Sequence, residues 1–346
     1  MVPFAGVVRR GIDATQPRRQ RPIVMNRPSD ELINETDLAI LEVGRTLPNL
    51  EEAPLPAAVY HYTDAAGLQG ILDSGVLWAT DYRYLNDSSE LRYIFDLAVQ
   101  SAENSLRSGD HGPLAQAFLE YVSTSSPYGD QVYYLCCFSE ADNSLSQWRA
   151  YGGRQGFSFA FPGDITFKPD LIDIPARQGQ SAGMTLLKVD YQIEHHTEYV
   201  IRLIQAFTGL CEGTVMQSYG DPDLAISWIA PAYFGTLERA SYRFKHPDFS
   251  DEREWRLVSW GKHDEHFRVG ATLTPYAKFQ LFSASHSNPE TATALRYPQR
   301  LPLIAVRHGP TALPDETRLA MDRLLRSRGY PADYCERRGS NTPVRL

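Results

Sequence analysis

The 346-residue chain lacks an apolar run of 18 residues, the length at which an uninterrupted stretch spans a bilayer. Its N-terminal stretch MVPFAGVVRRGIDATQPRRQRP lacks the order of a secretory signal, because its arginines follow the short apolar part instead of preceding it. We therefore expect a cytoplasmic protein that has no membrane partner.

Cysteine is scarce, and its spacing excludes two classes of small-domain architecture. Of the four cysteines, Cys136 and Cys137 are adjacent, and Cys211 and Cys335 stand apart. No Cys-x-x-Cys pair occurs, so the sequence predicts neither a disulfide framework nor a zinc site. The adjacent His195 and His196 have no convincing set of further metal ligands around them.

Familiar catalytic signatures are also missing. The chain has no Gly-x-Ser-x-Gly elbow and no His-Glu-x-x-His pair, and its GGRQG turn lacks the spacing of a Walker or dinucleotide fingerprint. Positive charge is in deficit, with 34 Lys and Arg against 42 Asp and Glu and a net charge of -8. This balance argues against a non-specific nucleic-acid coat, although it leaves room for a local basic groove.

The composition that is present, 42% hydrophobic and 11% aromatic, is typical of a globular protein. We expect a flexible tail over residues 1–28, an N-terminal helix and linker over 29–56, and one compact domain over 57–346. Short alternating strands interspersed with capped amphipathic helices predict an α+β fold, with the strands around one core and the helices outside.

The first candidate for chemistry is the strand YHYTD. Its side chains alternate, so His61 faces away from its two tyrosine neighbours. Such a histidine can hydrogen-bond the hydroxyls of a ligand, and the alternative is a half-buried structural histidine.

The second candidate is RYLNDSSELRY, where structural explanations account for most polar residues. Asn86 and Asp87 favour a turn, and Glu90 suits the positive end of the following helix. Arg92 lies two positions after Glu90 and therefore on a different face of that helix, which leaves it without a local explanation.

The third candidate, SLSQWRAYGGRQG, predicts a short helix capped by Asn143 or Ser144. The free N–H groups at its start can receive an anion. Trp148 and Tyr151 are three residues apart on one helical face, where they can flank a flat ring. The alternative is a Trp-Tyr pair in the core.

The fourth candidate is DEREWRLV. On a strand, Glu252, Glu254 and Arg256 share one face, and Trp255 and Leu257 share the other. A carboxylate beside a cleft can stabilise developing positive charge or accept a proton. The alternative is a charged edge strand that blocks aggregation.

In their order along the chain, several blocks resemble a known bacterial family, domain of unknown function 2971. The blocks are YHYTDAAGLQGIL, LWATDYRYLNDSSEL, SLSQWRAYGGRQGFSFAF, FKHPDFSDEREWRLV and LIAVRHGP, which together cover residues 57 to about 346. The family name implies no activity.

The layout is also similar to ADP-ribosyltransferases, in particular the DarT-type toxins that modify DNA. His61-Tyr62-Thr63, the LQGILDSGVLW segment and Glu254 before an aromatic residue carry this resemblance. It implies a split sheet of short strands with surrounding helices, and NAD as substrate. The Ser-Thr-Ser strand of arginine-specific transferases and the NAD loop of the toxins have no counterpart.

The resemblance also implies roles for particular residues. His61 would hold the ribose or amide of NAD, Glu254 would be catalytic, and Arg92 would match an arginine near the nicotinamide ribose. Glu252 would correspond to a second polar residue that selects the acceptor. The residues assigned to NAD are His61, Tyr62, Thr63, Asn86, Ser144, Trp148 and Tyr151, and those assigned to catalysis are Glu254, Glu252 and Arg92.

Three functions follow as hypotheses. The first is an NAD-dependent ADP-ribosyltransferase or NAD glycohydrolase, as in toxins and phage-defence effectors, with a protein or nucleic-acid acceptor that the sequence does not specify. The second is a binding or regulatory module in which Glu252 and Glu254 pair with Arg253 or Arg256. The third is a metal-dependent nuclease or other phosphodiesterase using Asp87 and both glutamates. The enzyme hypothesis requires His61 and Glu254 to face one cleft, within reach of a single nicotinamide riboside, and opposite sides of the sheet would overturn it.

Overall fold

A computed structural model of the chain describes residues 28–47, 53–85, 89–125, 133–153, 155–169, 186–260, 265–269, 272–283, 285 and 300–342. In these residues the α-helices are α1 (Asp30–Thr46), α2 (Ala65–Ser74), α3 (Ser89–Ser108), α4 (Pro113–Thr124), α5 (Leu145–Tyr151), α6 (Ile193–Glu212), α7 (Thr214–Gln217), α8 (Pro222–Ser241) and α9 (Pro314–Ser327). Two 3₁₀ helices span Tyr82–Tyr84 and Pro247–Glu252.

The strands of the described residues are β1 (Ala58–Asp64), β2 (Leu77–Asp81), β3 (Tyr133–Ser139), β4 (Gly156–Pro162), β5 (Ile165–Pro169), β6 (Leu186–Lys188), β7 (Glu254–Trp260), β8 (His266–Val269), β9 (Leu273–Ser283), β10 (Ala305–His308) and β11 (Glu336–Gly339). They form one sheet in the order β11-β10-β4-β1-β3-β2-β9-β5, with β7 on β3, β6 on β7, and β8 on β9. The pairs are antiparallel except for β10 with β11, and the predicted α+β class is confirmed.

Helix α2 begins and ends where its sequence signals predict. The Asp64 carboxylate caps it by accepting a hydrogen bond of 2.7 Å from the Gly67 backbone N–H. Gly75 ends it in the left-handed conformation, with φ of 69°, which costs a glycine no steric strain. The apolar face of α2 buries Leu68, Ile71 and Leu72 against one side of the sheet, where α9 also packs.

A second core lies among the helices. Helices α3, α4, α6 and α8 bury their apolar faces against one another, and α1 packs onto α6, α7 and α8. The Thr36 and Tyr219 hydroxyls join α1 to this cluster through a buried hydrogen bond of 2.8 Å. The predicted N-terminal helix thus contacts the helical part of the domain that follows it. No helix of the described residues has the length and apolarity to cross a membrane.

Strand β3 has two different neighbours on one of its edges. Its Ser139 pairs with Tyr60 of β1, and its Leu135 pairs with Thr80 of β2. Residues 136–138 pair with neither β1 nor β2 there, whereas β7 pairs along the whole opposite edge. We call this gap between β1 and β2 the fork. It splits the sheet and leaves room for a cavity where the two strands diverge.

Candidate functional site

A cleft of about 860 Å³ opens at the fork. Its walls come from β1, β2, the middle of β3, the start of α2, the end of α5, the second 3₁₀ helix, the first residue of β7 and the end of β8. Ligand pockets of this size hold molecules as large as a cofactor. Both His61 and Glu254 belong to its lining.

The backbone of β3 fixes the tautomer of His61. Its Nδ1 lies 2.9 Å from the carbonyl oxygen of Cys137, and a carbonyl only accepts, so Nδ1 carries the proton. Burial lowers the pKa of His61 below the usual 6.5, against the opposing effect of the Cys137 hydrogen bond. The ring is therefore neutral at pH 7, which leaves Nε2 as a hydrogen-bond acceptor.

Glu254 begins β7 as a buried carboxylate held by two cations. The Arg256 guanidinium donates to both of its oxygens, at 3.0 Å from Nε and 2.7 Å from Nη2. Lys245 Nζ donates to Oε2 at 3.1 Å, and the Cys137 thiol donates to the same carboxylate. Burial alone would raise the pKa of Glu254, but the two cations outweigh it and lower it to about 2.

The structure corrects the predicted placement of Glu252. This residue ends the 3₁₀ helix instead of sharing a strand face with Glu254, because Arg253 between them adopts a left-handed conformation with φ of 46°. Glu252 nevertheless returns to the site, where its carboxylate accepts a hydrogen bond of 2.6 Å from Lys245 Nζ. The lysine therefore bridges the two glutamates.

The charged edge strand proposed as an alternative for this segment is wrong. Strand β7 lies between β3 and β6, and Glu254 and Arg256 are both buried. Trp255 points to the opposite side, as predicted, where it is 1% exposed and its indole N–H donates to Glu140. Glu252 and Glu254 therefore lie at an interior cleft and not on an exposed sheet edge.

The ionised Glu254 predicts a stability change in acid. Its pKa in the folded protein lies below that of an ordinary glutamate, so it contributes stability above about pH 4.5 that is lost as pH falls towards 2. The difference in free energy of unfolding between the wild type and Glu254→Gln is expected to shrink by about 3 kcal/mol over that window. Urea unfolding of both proteins at steps from pH 6 to pH 2 measures it, and a constant difference would contradict it.

His61 and Glu254 reach the cleft from opposite sides of the sheet. Residues paired across strands share a side, and Ser139 is paired with both Tyr60 and Glu254. His61, next to Tyr60, therefore points the other way, where its ring lies 5.7 Å from that of Phe138. The enzyme hypothesis required one cleft, and opposite sides of the sheet were to overturn it. The structure meets the first condition and fails the second. The second condition assumed a continuous sheet, whereas both side chains line one cleft here because the sheet is split at the fork.

Tyr62 and Thr63 line the same cleft on β1. The Tyr62 hydroxyl is held within the protein, because it donates to the Ala141 carbonyl and accepts from the Ser144 backbone N–H at 3.1 Å. Burial raises the pKa of Tyr62 to about 12. Thr63 packs so closely on α2 that a Cβ at Gly67 would overlap its hydroxyl.

The structure corrects the pairing of Trp148 with Tyr151. Trp148 is 5% exposed, packs edge-on against Tyr62, and donates its indole N–H to Asn143. Tyr151, 38% exposed, lines the cleft without it. The two rings therefore do not flank one ligand. Ser144 is the predicted cap of α5, accepting from the Gln147 N–H, and it is not among the described residues that line the cleft.

One further predicted residue does not line the described cleft, and two others lie outside the described residues. Arg92 is exposed on α3 and is absent from the described lining of the cleft. Asn86, assigned to NAD, and Asp87, assigned to the nuclease hypothesis, lie outside the described residues. Within the described part of the chain, no group of three or more His, Cys, Asp or Glu residues could hold a metal ion.

Four of the lining residues that were not among the sequence candidates bear on the chemistry of the cleft. Lys245 and Cys137 contact Glu254, and Trp78 and Arg268 line the cleft from β2 and β8. A signal for Trp78 was present, because Leu77 and Ala79 alternate with it as core residues of a strand. The segment HFRVG gave no indication that Arg268 would line the cleft.

One family model, with no assigned activity, matches part of the chain. A family model described as "Protein of unknown function (DUF2971)" matches residues 147–257, which include most of α5, the strands from β4 to β6, the helices from α6 to α8, and the start of β7. No curated protein and no solved structure matches the chain. The match includes Glu254 but ends before β8, and His61 lies outside it.

Proposed function

We propose that the cleft binds NAD and that the protein is an ADP-ribosyltransferase or NAD glycohydrolase. The observation that carries this proposal is the cleft itself, since it joins a neutral His61 with an available Nε2 acceptor to the ionised carboxylate of Glu254. Because the cleft passes through the sheet, it suits an elongated ligand that touches different groups along its length.

The chemistry assigned to Glu254 is stabilisation of a cation. The bond between the ribose C1′ and the nicotinamide nitrogen breaks, and nicotinamide leaves with the electron pair as a neutral molecule. The sugar that remains resembles an oxocarbenium ion, which a nearby fixed carboxylate stabilises more than it stabilises the ground state. An acceptor X–H then forms a bond to C1′ and loses its proton, and with water the product is ADP-ribose.

Lys245 and Arg256 influence how strongly Glu254 acts. Two glutamates and these two cations make the cluster formally neutral, so Glu254 acts through short-range contact and not through a long-range field. Glu252, with a side chain 21% exposed, is the more accessible carboxylate. By the resemblance to ADP-ribosyltransferases, it is assigned to the acceptor, which is a protein or nucleic acid of unspecified identity.

One observation favours a second function, in which the cleft binds a nucleotide without transforming it. Arg256 already contacts both oxygens of Glu254, as the binding-module hypothesis expected, whereas the described partner of Glu252 is Lys245. A carboxylate paired in this way also serves simply to hold the start of β7. Chemistry and binding must therefore be measured separately.

NAD labelled in its nicotinamide ring tests both functions. Equilibrium dialysis measures binding, and chromatography of the same samples measures free nicotinamide, with and without cell lysate as a source of acceptors. Release of nicotinamide supports the enzyme, and binding without release supports the module. If NAD at millimolar concentration neither binds nor is cleaved in any of these samples, both proposals are wrong.

A further inference from the structure

The outer end of the cleft, on β2, carries an exposed tryptophan. Leu77 and Ala79 are fully buried in the core, so strand alternation turns Trp78 and Thr80 towards the cleft. Trp78 is 39% exposed and lines the cleft. A ligand in the cleft can therefore contact its ring.

The ring of Trp78 forms the end of an aromatic stack. It lies against Tyr276 of β9, with centroids 4.4 Å apart and an interplanar angle of 23°. The His266 ring also lies near Tyr276, with centroids 5.4 Å apart. Tyr276 is only 8% exposed, whereas Trp78 keeps an open surface in the cleft. A flat ring entering the cleft can extend this stack.

A cation stands beside the stack. Arg268 of β8 donates from Nη2 to the Thr80 hydroxyl at 3.1 Å, and no described carboxylate pairs with it. The other cation of the described lining, Lys245, is already bonded to Glu252 and Glu254. Of these two cations, Arg268 is therefore the one that can bind an anion in the cleft without first leaving a described carboxylate.

Trp78 and Glu254 lie on the same side of the sheet. Thr80 is paired with Leu135, and Glu254 with Ser139, and the two β3 residues are four positions apart on one face. Because β2 leaves β3 at the fork, strand geometry puts the Cα atoms of Trp78 and Glu254 at least about 12 Å apart. One extended nucleotide can therefore reach from the stack to the carboxylate.

We propose that Trp78 and Arg268 form the subsite for the adenine ring and the diphosphate of NAD. This inference rests on the proposed function, which places the nicotinamide ribose at Glu254. The oxidised nicotinamide ring is positively charged and is repelled by Arg268, whereas adenine is neutral and is followed by the anionic diphosphate. The charge of the subsite thus sets the direction of the dinucleotide in the cleft.

ADP is the probe for this subsite, since it carries the adenine and the diphosphate but no bond that the proposed reaction breaks. Isothermal titration of the full chain with ADP is expected to show affinity that falls about tenfold in Trp78→Ala and about tenfold in Arg268→Gln. Trp78→Phe keeps a ring and is expected to lose about threefold. Nicotinamide mononucleotide, which lacks adenine, is expected to bind Trp78→Ala as it binds the wild type.

Matched controls come from the same chain. Phe282 on β9 is 42% exposed and lies outside the described lining, and Arg318 is exposed on α9. Phe282→Ala and Arg318→Gln are expected to keep ADP affinity within about twofold of the wild type. Circular dichroism and thermal unfolding of each variant show that it is folded at the temperature of the titration.

The outcomes separate this inference from the proposed function. Equal ADP affinity in the wild type, Trp78→Ala and Arg268→Gln overturns the subsite, even if NAD is cleaved. Absence of ADP binding to the wild type overturns it as well. ADP binding that depends on both residues, in a protein that does not release nicotinamide from NAD, supports the subsite and leaves the enzyme proposal wrong.

Discussion

Replacing Arg256 with methionine is expected to lower the free energy of unfolding by about 3–5 kcal/mol, because it leaves a buried carboxylate without its main partner. Glu254 is 5% exposed and receives two hydrogen bonds from Arg256. Lys245 remains, but it is shared with Glu252. Urea unfolding at pH 7, followed by circular dichroism, measures the loss.

The double variant Glu254→Gln/Arg256→Met identifies the cause of that loss. It has no buried charge left unpaired at this point, so it is expected to be more stable than Arg256→Met alone by about 2 kcal/mol. Arg318→Met, at an exposed position of α9, is the control and is expected to stay within about 0.5 kcal/mol of the wild type. A double variant less stable than Arg256→Met would show that the arginine acts through its packing and not through Glu254.

Glu254→Gln is expected to lower the rate of nicotinamide release by about 100-fold or more, the size of effect seen when one group that stabilises transition-state charge is removed. Glutamine keeps the shape of the side chain and can still accept from Arg256, but it has no charge to stabilise the sugar cation. ADP affinity is expected to stay within about threefold of the wild type, because the proposed adenine and diphosphate subsite does not include Glu254. Single-turnover assays at saturating NAD measure the rate.

A buried glutamate outside the cleft provides the matched control. Glu238 of α8 is 9% exposed, and its carboxylate is hydrogen-bonded to the Tyr133 side chain. Neither residue belongs to the described lining of the cleft. Glu238→Gln is expected to change stability without changing the rate of nicotinamide release more than about twofold. Should Glu254→Gln release nicotinamide as fast as Glu238→Gln, the catalytic role of Glu254 is wrong, whatever the affinity for NAD.

Local signals in the sequence predicted the elements that carry the site. Asp64 and Gly75 mark the two ends of α2, and Ser144 marks the start of α5, because caps satisfy backbone groups in a way that few residue types can. The apolar run before Ser139 forms the interior strand β3. The fork could not be predicted from the sequence, because it depends on which strands pair with β3 along one edge.

The site itself was predicted in part. His61 and Glu254 do line one cleft, and the inward direction of Trp255 followed from simple alternation. Glu252 does not follow that alternation, because Arg253 between it and the strand has a positive φ. An arginine in the sequence does not indicate such a conformation. Trp148 lies three residues from Tyr151 but belongs to the core, since helical spacing does not tell which tertiary neighbour a ring meets.

The fork also has a consequence for how the protein avoids association with other chains. A strand edge left without a partner is a template for a strand from a neighbouring molecule. At the fork this edge is only three residues long, from 136 to 138, and it is closed at both ends by β1 and β2. A foreign strand cannot lie along so short an edge, whereas a small ligand can. The split sheet thereby opens a recess for a ligand while leaving only three residues of β3 unpaired on that edge.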